Sequence, residues 1–153
     1  MLKKIISGSQ TGVNRAALDV ALEKGIPCGG WCPNGRQAED GVLNKKYPLE
    51  ESKSTDDRIA TELNIGESDG TLILTWGRPT GGTALSQIVA KRRFKHLFVV
   101  DIKKTYDDAK AAKEILKWIE SCNIEVLNIV GPRESRCPGI YNDARSIIEK
   151  LIL

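Results

Sequence analysis

Four stretches of this chain collect the residue types that hold anions. The first, Ser7-Gly8-Ser9-Gln10-Thr11-Gly12, lies between the apolar run "KKII" and the helical pattern "VNRAALDVALEKG". The others are Gly29-Gly30-Trp31-Cys32-Pro33-Asn34-Gly35-Arg36, Gly77-Arg78-Pro79-Thr80-Gly81-Gly82-Thr83 and Gly131-Pro132-Arg133-Glu134-Ser135-Arg136. The first and third each run into a helix pattern. Small residues there let backbone N–H groups approach a ligand, and the unpaired amides and dipole of a helix start favour negative charge. Hydroxyls on Ser9, Thr11, Thr80 and Thr83 add donors. Arg15, Arg36, Arg78 and Arg133 offer planar, bidentate partners for an oxyanion. The chemistry is that of a pocket for a phosphorylated or otherwise anionic compound.

Other chemistries lack their residues. The opening loop is not GxGxxG, because Gly8 and Gly12 are four apart with no third glycine, and no Gly-Lys-Ser/Thr makes a Walker loop. No acidic residue ends the second strand to grip an adenosine ribose, which disfavours NAD. His96 is the single histidine, so a Ser/His or Cys/His nucleophile system is hard to build. Cys28 and Cys32 are four apart, but no second pair or histidine follows at zinc-site spacing. The four cysteines read as reduced thiols and no metal site is expected.

The elements that must position these loops follow from periodicity. Apolar runs alternate with helix-period segments, the mark of a parallel sheet with crossover helices. Strands are expected at about Lys3–Ser7, at "IPCGG", "GTLILTW" and "HLFVVDI", and at "IEVLNIVG". Helices are expected at about Val13–Lys24, Thr55–Asn64 with Thr55 or Ser54 as N-cap, Gly82–Arg93, Tyr106–Ser121 and Ile140–Leu153. The fourth helix should face inward through Ala109, Ala112, Ile115, Leu116 and Ile119, the fifth through Ala144, Ile147, Ile148 and Leu151. The predicted fold class is α/β: a doubly wound parallel sheet of about five strands in three α/β/α layers, one domain over residues 1–153. Residues 30 to 54 show no strand or helix pattern. Loops beyond about 12–15 residues are uncommon and are often lids or binding loops. In doubly wound sheets ligands bind outside the strands' carboxyl ends, where all four stretches fall. Arg58, in the first turn of the second helix, is expected on that same edge.

Composition sets the outer bounds. The chain has 23 basic and 20 acidic residues, net +3, spread along its length, which does not imply nucleic-acid binding. No segment reaches the roughly 18 apolar residues of a membrane helix, and "II" is too short for a signal-peptide core. A cytoplasmic protein is expected.

The combination "SGSQTGVNRAALDVA", "GGWCPNGRQAEDG", "ESDGTLIL" and "GGTALS" resembles the "putative molybdenum carrier" family, over roughly residues 4 to 140. That family is Rossmann-like and akin to the lysine-decarboxylase-like nucleotide phosphoribohydrolases. Ser9 stands where the family usually has glycine, and Asn14 where it has aspartate. The resemblance implies a binding or carrier protein for molybdenum cofactor (molybdopterin), a pterin with a dithiolene and a terminal phosphate. By analogy the phosphate sits on Gly81-Gly82-Thr83 or on Gly8, Ser9, Gln10, Thr11 and Gly12, with Thr80, Arg15, Arg36 and Arg58 nearby. Trp31 or Trp76 would cover the pterin. It also implies a homo-oligomer, a dimer or tetramer. The alternative is a nucleotide-processing enzyme of the phosphoribohydrolase type. In that "PGGxGTxxE" loop, Ala84, Leu85, Ser86 and Gln87 supply no acid here, so the acid would come from Glu39 or Asp40, or from Asp101. Glu39 and Asp40 are otherwise expected to cap a turn or pair with Arg36.

Overall fold

The computed structural model describes residues 1–104 and 107–152. In chain order its elements are β1 (Lys4–Ile6), α1 (Val13–Lys24), β2 (Cys28–Gly29), β3 (Trp31–Cys32), β4 (Gln37–Ala38), β5 (Gly41–Val42), β6 (Glu50–Glu51), α2 (Asp57–Glu67), β7 (Gly70–Thr75), α3 (Gly81–Arg92), β8 (His96–Asp101), a 3₁₀ turn (Ile102–Lys104), α4 (Asp108–Ser121), β9 (Val126–Val130) and α5 (Ile140–Leu151). Five strands form one parallel sheet in the order β2-β1-β9-β7-β8. The last strand in sequence is therefore the middle strand in space.

Side chains alternate across each strand and sort the two faces. Leu72, Leu74, Leu127 and Ile129 point to one face, where they join Ala16, Ala17 and Val20 of α1, Ala112 and Ile115 of α4, and Ile147 and Ile148 of α5 in the main core. Thr71, Ile73, Asn128 and Val130 point to the opposite face. There α2 and α3 supply a smaller core of Ile65, Val89 and Ala90. The result is the expected three-layer α/β/α arrangement of five strands and five helices. No helix among the described residues is long and apolar enough to cross a membrane.

Local chemistry sets the helix ends. Gly25 closes α1 in the left-handed conformation, φ 71°. The α2 helix runs Asp57–Glu67, later than expected, because Asp56 caps it by accepting from the Arg58 amide. Ser54 instead accepts from the Asp56 amide one turn earlier. In α4 the expected Ala112, Ile115 and Ile119 are buried, together with Ala111, whereas the expected Ala109 and Leu116 are exposed. The Asp107 cap starts the helix at Asp108. Tyr106 and Leu153, the expected ends of α4 and α5, lie outside the described residues.

Residues 30 to 54 are not structureless. Trp31–Cys32 pairs in parallel with Glu50–Glu51, and Gln37–Ala38 pairs antiparallel with Gly41–Val42. Two-residue ladders leave no periodicity to detect. The segment folds over its own small core of Cys32, Leu43, Tyr47 and Leu49 against Leu18 of α1.

Ala111 is 4% exposed while Ala109 lies on the surface of the first turn. Ala111→Asp is expected to cost about 3 kcal/mol or more by burying a charge, and Ala109→Asp less than about 0.5 kcal/mol. Urea unfolding of the two variants reads the difference.

Candidate functional site

Because β9 lies between β1 and β7, the loops after all three strands meet at one end of the sheet. They border a cavity of about 150 Å³ on the α2–α3 face. Gly8, Ser9 and Gln10 line it from the β1 loop, Thr80, Gly81, Gly82 and Thr83 from the start of α3, and Arg133 and Arg136 from the β9 loop. Asn128 and Val130 of β9, Asn14 of α1 and Trp31 are also on the lining, with Asp57, Thr61 and Asn64 of α2 opposite.

How each helix satisfies its first amides separates this site from the rest of the surface. A helix start carries donors with no partner inside the helix. Asp56 caps α2 and Asp107 caps α4. The Glu134 carboxylate serves α5, accepting from Gly139 at 2.6 Å and Tyr141 at 3.0 Å. Among the described residues no side chain caps α1 or α3. In α1 the Val13 amide is taken by the Pro132 carbonyl at 3.3 Å. In α3 the Thr83 amide closes onto Thr80 at 3.1 Å, and the exposed Gly81 and Gly82, both on the cleft lining, keep amides with no partner among the described residues. Arg136 donates to Thr80 Oγ1 at 2.7 Å, and a Cβ at Gly81 would stand 3.6 Å from its Nη1. Among the described residues neither Arg133 nor Arg136 forms a salt bridge.

Two orphaned atoms lie at the same place. Asn14 Oδ1 and Asn128 Oδ1 are buried with no hydrogen-bond partner among the described residues. Such a group costs about 1–3 kcal/mol unless something pairs with it.

Of the residues expected at the site, Gly8, Ser9, Gln10, Trp31, Thr80, Gly81, Gly82 and Thr83 line the cleft, while Thr11, Gly12, Arg15, Arg36 and Arg58 lie outside its lining. Their contacts explain why. Thr11 Oγ1 donates to Glu39 and accepts from the Glu134 amide. Gly12 has φ 75°, and a Cβ there would meet the Arg133 carbonyl carbon at 2.9 Å, so this glycine lets the β9 loop lie against the start of α1. Arg15 bonds both oxygens of Asp40, at 2.8 and 3.1 Å, and the Ser9 carbonyl at 3.1 Å. Arg36 takes a left-handed φ of 56° and donates to the carbonyls of Asn44, Tyr47 and Leu49, fastening the long segment to itself. Arg58 turns back onto Asp56 at 2.7 Å with 72% of its side chain exposed. Trp31 reaches the cleft with its indole N–H on Glu67 at 2.9 Å, and the Asn64 amide clamps its backbone at 2.6 and 3.1 Å.

Glu39 and Asp40 do not line the cleft. Asp40 pairs with Arg15 rather than Arg36, and that hydrogen bond holds its carboxyl below the usual range. Glu39 accepts from the Ser135 amide at 3.1 Å and the Ser135 hydroxyl at 2.5 Å. Asp101 accepts from the Gly77 amide at 2.8 Å and the Lys103 amide at 3.1 Å, fixing the loop after β7. Asn14, Asp57, Asn64, Asn128 and Arg136 line the cleft beyond the expected set. Asn128 carries a readable signal, a polar residue in the apolar run "IEVLNIVG".

Set against known proteins, this fold and cleft define a class. The profile of the circularly permutated YpsA SLOG family matches residues 5–152, and the chain belongs to that family. Its structure is similar to the crystal structure of a "putative molybdenum carrier protein" from Syntrophus aciditrophicus SB, with a TM-score of 0.97 and 41% identity over 99% of this chain and 96% of that one. No curated protein matches the chain.

Glu39 ties the long segment to the β1 and β9 loops. Desolvation pushes its carboxyl up, but hydrogen bonds from Ser135 and Thr11 outweigh this and set it below the ordinary 4.5. A carboxyl lowered in the folded state stabilises fully above its unfolded value, and the contribution is lost as pH falls through the folded one. The melting-temperature gap between wild type and Glu39→Gln is therefore expected to be complete at neutral pH and to narrow as pH falls below the ordinary carboxylate range.

Proposed function

We propose that the protein binds a phosphorylated small molecule in this cleft, with the phosphate on the Gly81 and Gly82 amides and the guanidinium of Arg136, and that the ligand is molybdenum cofactor held as cargo. The observation that carries the reading is the uncapped start of α3 beneath Arg136, when the acidic caps of α2, α4 and α5 would repel an anion. Arg133 adds a second positive charge on the same lining. Free amides and guanidinium together form the donor set a terminal phosphate needs. Trp31, on the lining beside α2, offers an aromatic face for the pterin. The carrier role is supported by close structural likeness to the Syntrophus protein, itself called a "putative molybdenum carrier protein".

The reading extends to self-association in the cytoplasm. Ile88 of α3 and Phe94, in the turn that leads into the edge strand β8, are 55% and 96% exposed. A dimer or tetramer would cover them.

Calorimetric titration with inorganic phosphate tests the anion site. Wild type is expected to bind it, and Arg136→Ala to weaken binding about tenfold or more, since a hydrogen bond to a charged group is worth about 1.5–3 kcal/mol. Arg58→Ala, outside the lining, is expected to leave the affinity unchanged. Co-elution of oxidised-pterin fluorescence with protein incubated with released molybdenum cofactor tests the cargo; protein fractions without fluorescence would contradict it.

A further inference from the structure

Asn128 sits in the middle strand of the sheet, fully buried, on the face turned to α2 and α3, between Ile6 of β1 and Thr71 of β7. Its Nδ2 donates to Thr71 Oγ1 at 3.2 Å, and its Oδ1 has no partner among the described residues. Asn14, in the first turn of α1, lines the same cleft with its own Oδ1 buried and unpaired. A buried amide in the middle of a sheet is costly, and a Leu there would pack without that cost.

The cleft is thus divided by chemistry. At the start of α3 it offers donors: two amides and a guanidinium. At β9 and α1 the lining residues Asn128 and Asn14 each carry a buried amide oxygen with no partner among the described residues, and such an oxygen only accepts. A bare oxyanion answers the first set and cannot pair with the second, because neither partner has a proton to give.

We infer that the cleft takes a phosphate monoester whose other end carries N–H or O–H donors, and that Asn128, seconded by Asn14, reads those donors and sets the specificity. This rests on the anion reading of the same cleft and adds the chemistry of the rest of the ligand. Asn128 is a specificity residue. The phosphate is held without it.

The test compares methyl phosphate, which has the charge and no donor, with ribose 5-phosphate and GMP, which have the charge with hydroxyl donors and with hydroxyl plus ring N–H donors. Wild type is expected to bind at least one of the latter two about tenfold or more tightly over methyl phosphate. The double variant Thr71→Val/Asn128→Leu removes both ends of the buried hydrogen bond, so it is expected to melt no lower than wild type. In it the tenfold gain is expected to vanish while methyl phosphate binds within about twofold of wild type. A second measurement needs no variant: in ¹⁵N-labelled wild type the Asn128 side-chain amide resonances should move with the tighter ester and stay in place with methyl phosphate. A gain that persists in the double variant, no gain in wild type, or an Asn128 amide indifferent to the ester overturns the inference and leaves the anion site standing. Methyl phosphate failing to bind wild type overturns the anion reading, and this inference with it.

Discussion

β9 is the last strand in the chain and the middle strand of the sheet, and the cleft depends on that placement. Its pairing with β1 on one side and β7 on the other brings the Ser7–Gly12 loop and the start of α3 to the two sides of the loop after β9. That loop supplies what neither side has. Pro132 takes the first amide of α1, Arg136 lies over the start of α3, and Glu134 caps α5. The close approach is possible because Gly12 and Gly131 present no side chain: a Cβ at Gly131 would meet the Val13 side chain at 2.5 Å.

Around this junction the protein spends its charged side chains on fastening. Asp40 with Arg15, and Glu39 with Thr11 and Ser135, hold the 30–54 segment against α1 and the loops after β1 and β9, while Arg36 with three carbonyls ties the segment to itself. Asp19 of α1 accepts from the hydroxyls of Tyr47 and Tyr141, each at 2.5 Å, joining that segment to α5. Burial, then the bond to Asp19, pushes the Tyr47 hydroxyl above its ordinary value, so it stays a donor throughout the working pH range. Among the described residues these networks leave three kinds of group at the cleft without a carboxylate or other fixed partner: the first amides of α3, the positive charges of Arg133 and Arg136, and the buried oxygens of Asn14 and Asn128.

The layers and the loops at the carboxyl edge were legible in the sequence, because periodicity reports burial. The apolar runs of β7 and β9 and the stripes Ala16-Ala17-Val20 and Ala144-Ile147-Ile148 are packing requirements written into residue types. The order of strands was not, since no local signal says that β9 enters between β1 and β7. For that reason Arg136, which acts through a contact with Thr80 fifty-six residues away, stayed outside the expected site. The converse case has the same origin. Arg15, Arg36 and Arg58 have the right type and the right edge, yet each is drawn to a carboxylate or carbonyl whose position only the fold reveals. The resemblance read over about residues 4 to 140 reached the family, whose profile matches residues 5–152.

The central claim is that the start of α3 and the β9 loop arginines hold an oxyanion. A crystal structure of the protein grown with phosphate measures this most directly. The account predicts phosphate oxygens within about 3 Å of the Gly81 and Gly82 amide nitrogens and of the Arg136 guanidinium. Phosphate seated instead on Lys91-Arg92-Arg93 at the far end of α3, with the cleft holding none, would contradict it.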